Sequence, residues 1–256
     1  MTNLPEIKII FEDDHYLVID KPAGLIVHGG PGIEEATLSD WLLLHYPDIK
    51  AVGDDPLRPG LVQRLDKEVS GLMVIAKTQV SFTDLKKQFK DRKVNKEYLA
   101  LVHGNPSQKS GVITFPIKRS SRGYKMAAMP LGVIDLVHRP QPKNRDQGNL
   151  EGIFKAREAI TEYQVLQNFI NHSLVRVKIK TGRTHQIRVH FLALGHPLVG
   201  DDLYFNKKSK LRNKKINLGR IFLVADTLSF LTLTGQEKTF NLDLPPQLTE
   251  LLATLK

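Results

Sequence analysis

The sequence predicts a globular chain of mixed α and β structure, and three observations carry that prediction. Short runs of β-favouring residues lie either side of turn signals near both ends, at Ile7-Phe11 and Tyr16-Ile19 around Asp13-Asp14, and at Leu228-Thr234 and Lys238-Leu244 around Gly235-Gln236. Ser173-Lys180 alternates strictly, with Val175, Val177 and Ile179 on one face and Arg176, Lys178 and Lys180 on the other. Interspersed segments carry apolar residues three and four apart behind a residue suited to cap a helix. At 256 residues the chain has room for one substantial core, or for two smaller lobes sharing a sheet. It shows no internal repeat and no low-complexity linker, so a single domain is expected.

Taken in order, the opening hairpin runs into Lys21-Pro22-Ala23-Gly24, a turn, and then Leu25-His28 before the loop Gly29-Gly32. That loop lacks the Gly-Lys-Ser/Thr ending of a phosphate-binding loop and reads as ordinary surface. Thr37 caps a helix with Leu38, Trp41, Leu42 and His45 on one face, ending before Pro47. Residues 48–60 form a loop into Leu61-Lys77, where a charged cluster passes through Ser70-Gly71 into the apolar run Leu72-Ala76, too short for a helix and read as a buried strand. Next comes a helix with Phe82, Leu85 and Phe89 inward and Lys86, Lys87, Lys90, Arg92 and Lys93 on or beyond its outer surface. The strand Lys96-Gly104 follows, with Tyr98 opposite in facing to Leu99 and Leu101. After a strand at Gly111-Phe115, residues 118–155 are irregular and basic, with prolines that forbid a continuous helix, and read as an elaborated loop. Thr161-Leu166 is a strand. After the alternating strand, Thr184 is placed as the cap of a helix bearing Ile187, Phe191 and Leu194, stopped by Gly195 and Pro197. Lys207 to Lys215 reads as a basic loop, and a short helix spans Leu248-Leu255.

Composition narrows the function. Lys and Arg number 37 against 27 Asp and Glu, a formal net charge of +10. The isoelectric point near 9.6 points to a polyanionic partner. There is no cysteine, which excludes a thiol nucleophile, a Cys-ligated zinc or iron–sulfur site and any disulfide framework. No long apolar run and no leader pattern are present, so a cytoplasmic protein without a membrane association is expected. His185 and His190 lack the spacing of two ligands on one helical face, and no metal site is expected from them.

The stretch Leu61-Val62-Gln63-Arg64-Leu65-Asp66-Lys67-Glu68-Val69-Ser70-Gly71 sets a carboxylate, Asp66, at a turn beside a buried strand, flanked by Arg64 and Lys67. On spacing alone this is a structural ion pair before it is a charge held for chemistry. Tyr98 on its own is a β-favouring aromatic packed in a sheet. Arg183 on its own is a surface residue at a helix entrance, where the dipole does not favour it. The stretch, however, closely resembles the His-Arg-Leu-Asp-x-x-Thr-Ser-Gly signature of the RluA-type RNA pseudouridine synthases, with Gln63 in place of His and Val69 in place of Thr. Lys21-Gly24, Lys96-x-Tyr98-x-Ala100 and Gly182-Arg183-Thr184-His185-Gln186-Ile187-Arg188-Val189-His190, continued by Gly195-Asp201 and Tyr204, resemble further motifs of the same family.

That resemblance implies an α+β fold, the pseudouridine synthase fold, with a mixed, largely antiparallel central sheet, flanking helices and a cleft across the middle. It implies one catalytic domain over residues 1–256, with no separate N-terminal RNA-binding domain and with 118–155 as a loop within it. Asp66 is then the catalytic residue, Arg64 stabilises a flipped-out target nucleotide, Tyr98 stacks on the uracil, and Arg183 pairs with the aspartate. The partner is RNA, tRNA or rRNA, the protein is expected to act as a monomer, and no cofactor is implied because the isomerisation involves no redox change. Two other classes are weighed beside it: a non-catalytic RNA-binding protein on the same fold, indifferent to loss of Asp66, and a hydrolase using Asp66 with a histidine, for which no nucleophile, base and orienting group stand in a recognisable pattern.

Overall fold

The computed structural model describes residues 4–30, 32–120, 125–129 and 156–256. The chain divides into two compact units, Met1–Leu99 with Arg220–Leu255, and Ala100–Gly219 with Lys256.

The first unit is built on the strands β1 (Lys8–Glu12), β2 (Tyr16–Lys21), β3 (Ser70–Ala76), β10 (Leu223–Leu231) and β11 (Glu237–Asn241). Asp13 makes the first hairpin: its Oδ1 accepts from the amides of His15 and Tyr16, which lets an acidic pair reverse the chain without help from glycine. β1 pairs with β2, β2 with β3, and β10 with β11, all antiparallel, whereas β10 joins β3 in parallel. The sheet is therefore mixed and largely antiparallel, as predicted. All seven residues of β3 are buried, which accounts for an apolar run that does not alternate.

Helix α1 (Leu38–His45) starts at Thr37, whose hydroxyl accepts from the Asp40 amide while Asp40 accepts from the Thr37 amide. Leu38, Trp41 and Leu42 are buried; His45 is exposed and stacks on the Trp41 ring at 4.4 Å. A short 3₁₀ turn follows at Pro47–Ala51. Helix α2 (Gln79–Lys90) turns Phe82 and Leu85 inward, and its Gln88 amide bonds Leu231 through both backbone groups, at 2.7 and 2.9 Å. Strand β4 (Asn95–His103) begins in this unit, next to β10 in the hydrogen-bonded order, and helix α5 (Pro246–Thr254) closes the unit.

The second unit receives the end of β4 and adds β9 (His172–Ile179), β8 (Thr161–Asn168) and β5 (Ser110–Ile113) in that order, with β5/β8 and β8/β9 antiparallel. Val175 and Val177 of the alternating strand are fully buried, and Arg176 and Lys178 on the other face are half-exposed, as the period requires. Helix α3 (Gln186–Ala193) buries Ile187, Val189 and Phe191.

Two expectations are corrected here. Thr184 is exposed and does not cap α3; the residue before the helix is His185, in the left-handed region at φ 55°, and no side chain caps the helix, the Gln186 side chain instead accepting from the Arg183 amide in the preceding turn. Residues 207–215 are not a loop but most of helix α4 (Lys207–Ile216), capped by Asn206 and Ser209 in a reciprocal pair. Its inner face is polar, so no apolar period marks it in the sequence. Of residues 118–155, those described include two short strands, β6 (Ile117–Arg119) and β7 (Met126–Ala128), paired antiparallel; the greater part of that predicted loop lies outside the described residues.

Candidate active site

The centre of the first unit is a fully buried lysine. Lys21 ends β2, and its ammonium donates to the carbonyls of Pro22 (2.8 Å), Leu25 (2.8 Å) and Lys67 (3.3 Å). Three acceptors match the three N–H bonds of an ammonium, which a neutral amine does not have. Burial pulls Lys21 down to about 7, opposed first by the charge of Asp66. The carbonyl of Lys67 also accepts from the Gly24 amide at 2.8 Å, with Gly24 at φ +89°. The Lys-Pro-Ala-Gly turn is thus a clamp on the peptide that follows Asp66.

Beyond the clamp, the Val69 amide donates to the Asp66 carbonyl at 3.1 Å and closes the turn that leads into β3. Asp66 is half-buried, Leu65 and Val69 on either side of the turn are buried, and Arg64 is exposed. The ammonium of Lys67 pairs with Glu35 at 2.6 Å, so that neighbouring cation serves a different carboxylate. Gln63, which stands at the histidine position of the signature, has its Nε2 buried without a hydrogen-bond partner among the described residues.

Ser70 and Gly71 fix where the turn enters the sheet. Ser70 Oγ accepts from Arg220 Nη2 at 2.6 Å, and Gly71, at φ +121°, lies so close to β10 that a Cβ there would be 2.3 Å from the Ala225 carbonyl oxygen. The Ser-Gly of the signature is accounted for by this close approach. No sequence pattern marks Arg220. It is half-buried, its ionisation is pulled down by burial, and the opposing charges are Asp20 and Glu68. Asp20 is itself raised by burial against the cations Lys8, Arg220 and Lys21.

Tyr98 completes this cluster from β4. It is 5% exposed, and its phenol is raised well above the ordinary value, by burial first and then by the negative charge of Asp66. Lys96, two residues earlier on the same strand face, is lowered to about 8 by burial, with its ammonium 5.0 Å over the Phe89 ring. The first unit therefore brings three elements to one place: a carboxylate on a pinned turn, a buried ammonium and a buried phenol that both sense that carboxylate's charge.

Arg183 belongs to the second unit, where its motif is mostly scaffold. Gln186 Oε1 accepts from the Arg183 amide (3.0 Å) and the Thr181 hydroxyl (2.8 Å), while its Nε2 donates to the Ile160 carbonyl and Thr161 Oγ1, both at 3.0 Å. That ties the turn before α3 to the start of β8. Arg188 forms a buried bidentate pair with Asp201, both hydrogen bonds 2.8 Å, beneath the Tyr204 ring. His190 donates from Nε2 to the Phe115 carbonyl and bonds the Thr161 hydroxyl through Nδ1, both at 2.9 Å, and burial lowers its pKa. His185 bonds the Tyr204 hydroxyl at 2.7 Å. Arg183 itself stays half-buried, with Nε donating to the Glu158 carbonyl at 2.9 Å.

The comparisons give this arrangement a family. A model of the RNA pseudouridylate synthase family matches residues 15–193, which include Lys21, Arg64, Asp66, Tyr98 and Arg183. The chain belongs to that family, and is an RNA pseudouridine synthase, an isomerase. A Synechocystis relative described as an uncharacterized RNA pseudouridine synthase is 35% identical over 99% of this chain and 70% of its own length. The ribosomal large subunit pseudouridine synthase D of Blochmanniella floridana is 38% identical over 99% of this chain and 74% of its own, and that of Pseudomonas aeruginosa 42% identical over 78% and 53%. Among solved structures, human RNA pseudouridylate synthase domain containing 4 superposes with a TM-score of 0.72 at 27% identity, covering 97% of this chain and 94% of that one. Among the described residues no helix is long and apolar enough to cross a membrane.

Proposed function

We propose that this chain isomerises uridine to pseudouridine in large-subunit ribosomal RNA, acting as a single catalytic domain with Asp66 as its catalytic residue. The observation that carries the assignment of Asp66 is the pinned turn: Lys21 and Gly24 both bond the Lys67 carbonyl, so the backbone next to the carboxylate is tied at two points to the turn at residues 21–24. Support for the RNA class comes from relatives named as large-subunit synthases, several of them 34–42% identical to this chain.

The reaction breaks the bond from ribose C1′ to N1 of uracil, turns the base, joins C1′ to C5, and moves the C5 hydrogen away as a proton, while N1, released from the sugar, takes up a proton in its place. Positive character develops at the sugar, which an ionised carboxylate stabilises or captures. Lys21 is a positioning residue here: its ammonium holds the turn and sets a positive charge beside Asp66. Tyr98 offers the flat face on which the uracil stacks, worth roughly 1–3 kcal/mol for a stacked base. Arg64, exposed beside the turn, supplies a cation for the backbone or the vacancy that the flipped nucleotide leaves. Arg183 supplies the planar guanidinium that orients the carboxylate in the substrate complex.

The test is release of tritium from RNA labelled at C5 of uridine, with unmodified large-subunit rRNA and total tRNA as parallel substrates. Release from rRNA alone supports the proposal in full. Release from tRNA alone refutes the choice of RNA, and release by an Asp66→Asn variant at the wild-type rate refutes the assignment of Asp66.

A further inference from the structure

Helix α4 is a basic element that the chemistry of the site does not use. Winding its residues at 3.6 per turn places Lys210, Lys214, Lys207, Leu211, Lys215 and Lys208, in that angular order, on one continuous arc of about 160°. All six are exposed. The opposite arc is held down by polar contacts: Asn213 Oδ1 accepts from the Gly200 amide (3.0 Å) and bonds His103 Nε2 (2.7 Å), Asn213 Nδ2 donates to the Asp201 carbonyl, and Arg212 donates to Asn171 Oδ1.

The exposed arc carries five lysines and no carboxylate. Among the described residues no acidic side chain pairs with any of them. Lys207 and Lys208 stand in the first turn, where the helix dipole repels them, and Lys210 and Lys214 repel each other across one turn. A helix so charged is electrostatically costly by itself, and its anchoring keeps the charges from dispersing. Lys210 lies 4.9 Å over the Phe205 ring, and Lys125 lies 5.9 Å from the same ring, so the basic face continues onto the residues next to β7. Along its axis the arc runs about 12 Å, the span of roughly three phosphates of a nucleic-acid strand.

We propose that α4 is a phosphate-docking helix for the RNA substrate, contacting the backbone of a segment outside the nucleotide that reacts. The inference rests on the reading of this chain as an RNA pseudouridine synthase. Charge complementarity selects RNA over an anionic membrane, because the only apolar residue on the arc is Leu211 and a surface-seeking helix needs a broad apolar face.

The test compares the wild-type chain with the triple variants Lys207→Gln/Lys210→Gln/Lys214→Gln and Lys207→Arg/Lys210→Arg/Lys214→Arg, using C5-tritiated large-subunit rRNA. The glutamine variant should raise KM about tenfold or more near 0.15 M salt and leave kcat within about twofold. It should also flatten the slope of log K against log salt by about 2 to 3, at roughly 0.7–0.9 for each phosphate no longer neutralised. The arginine variant should restore both. An unchanged KM and salt slope in the glutamine variant would overturn the proposal while tritium release by the wild type still upheld the enzyme reading. No release by the wild type would remove that reading and the proposal with it. Glutamine-sensitive capture by phosphatidylserine vesicles, with RNA affinity unchanged, would assign the face to a membrane instead.

Discussion

Replacing Gly71 by alanine probes the junction between the Asp66 turn and the sheet. Two costs can be worked from the structure. At φ +121° any L side chain is strained, by about 1–3 kcal/mol. A Cβ at 2.3 Å from the Ala225 oxygen and 2.6 Å from its nitrogen meets backbone, so β3 and β10 must part. Their parallel register is only Ser70 with Val224 and Gly71 with Ala225, so parting them removes about two hydrogen bonds at about 1 kcal/mol each. The sum, about 3–5 kcal/mol, corresponds to a fall in Tm of about 6–20 °C at about 2–4 °C per kcal/mol for a chain of this size. Gly24→Ala is the comparison: φ is +89° but nothing lies within 4 Å of the added carbon, so only strain of about 1–2 kcal/mol applies. Thermal unfolding followed by circular dichroism reads both, and tritium release should fall in Gly71→Ala at temperatures where the protein is still folded. Equal falls in Tm for the two variants would refute the close approach of β3 to β10.

Four further outcomes follow from the same geometry. Asp66→Asn should abolish turnover, a decrease of about 10³-fold or more, with RNA affinity within about threefold of wild type; substantial residual activity in a single-turnover assay would sink its catalytic role. Lys21→Met should remove a pH dependence of stability: because the folded value near 7 lies below the unfolded 10.5, the unfolded chain holds more protons between those limits, and wild-type stability rises with pH across that window, while below about pH 7 the deficit is constant. Parallel urea-melt curves for wild type and Lys21→Met from pH 7 to 10 would contradict this. Tyr98→Phe should bind RNA comparably to wild type, whereas Tyr98→Ala should both lower turnover severely and cost about 3–5 kcal/mol of stability, since the residue is a buried core member; wild-type turnover in Tyr98→Ala would exclude stacking. Asp201→Asn strips the charge from a buried bidentate partner of Arg188 and should destabilise by about 3–5 kcal/mol, measurable as a lowered denaturation midpoint; a change under about 1 kcal/mol would mean that the pair is not buried as described.

The local rules of the chain are legible in the sequence. The apolar run 72–76 is a strand buried on both faces, the alternation of 173–180 is β9, and Thr37 caps α1, because in each case the relevant energy lies within a few residues of chain. The turn bearing Asp66 is legible for the same reason. Helix α4 is not, because its inward contacts are hydrogen bonds of Ser209 and Asn213, which leave no apolar period to find. What the sequence by itself determined was the chemistry available: a carboxylate with an arginine two residues before it, a tyrosine on a strand, and a surplus of cations suited to a polyanion. What only the tertiary structure decided was which groups share a low-dielectric space. Lys21 looks like an exposed turn residue, yet it is buried under three carbonyls, and Arg220 reaches Ser70 across 150 residues of sequence. Such contacts are set by how strands pack, and burial, which multiplies the worth of every charge, is a property of packing that no local pattern encodes.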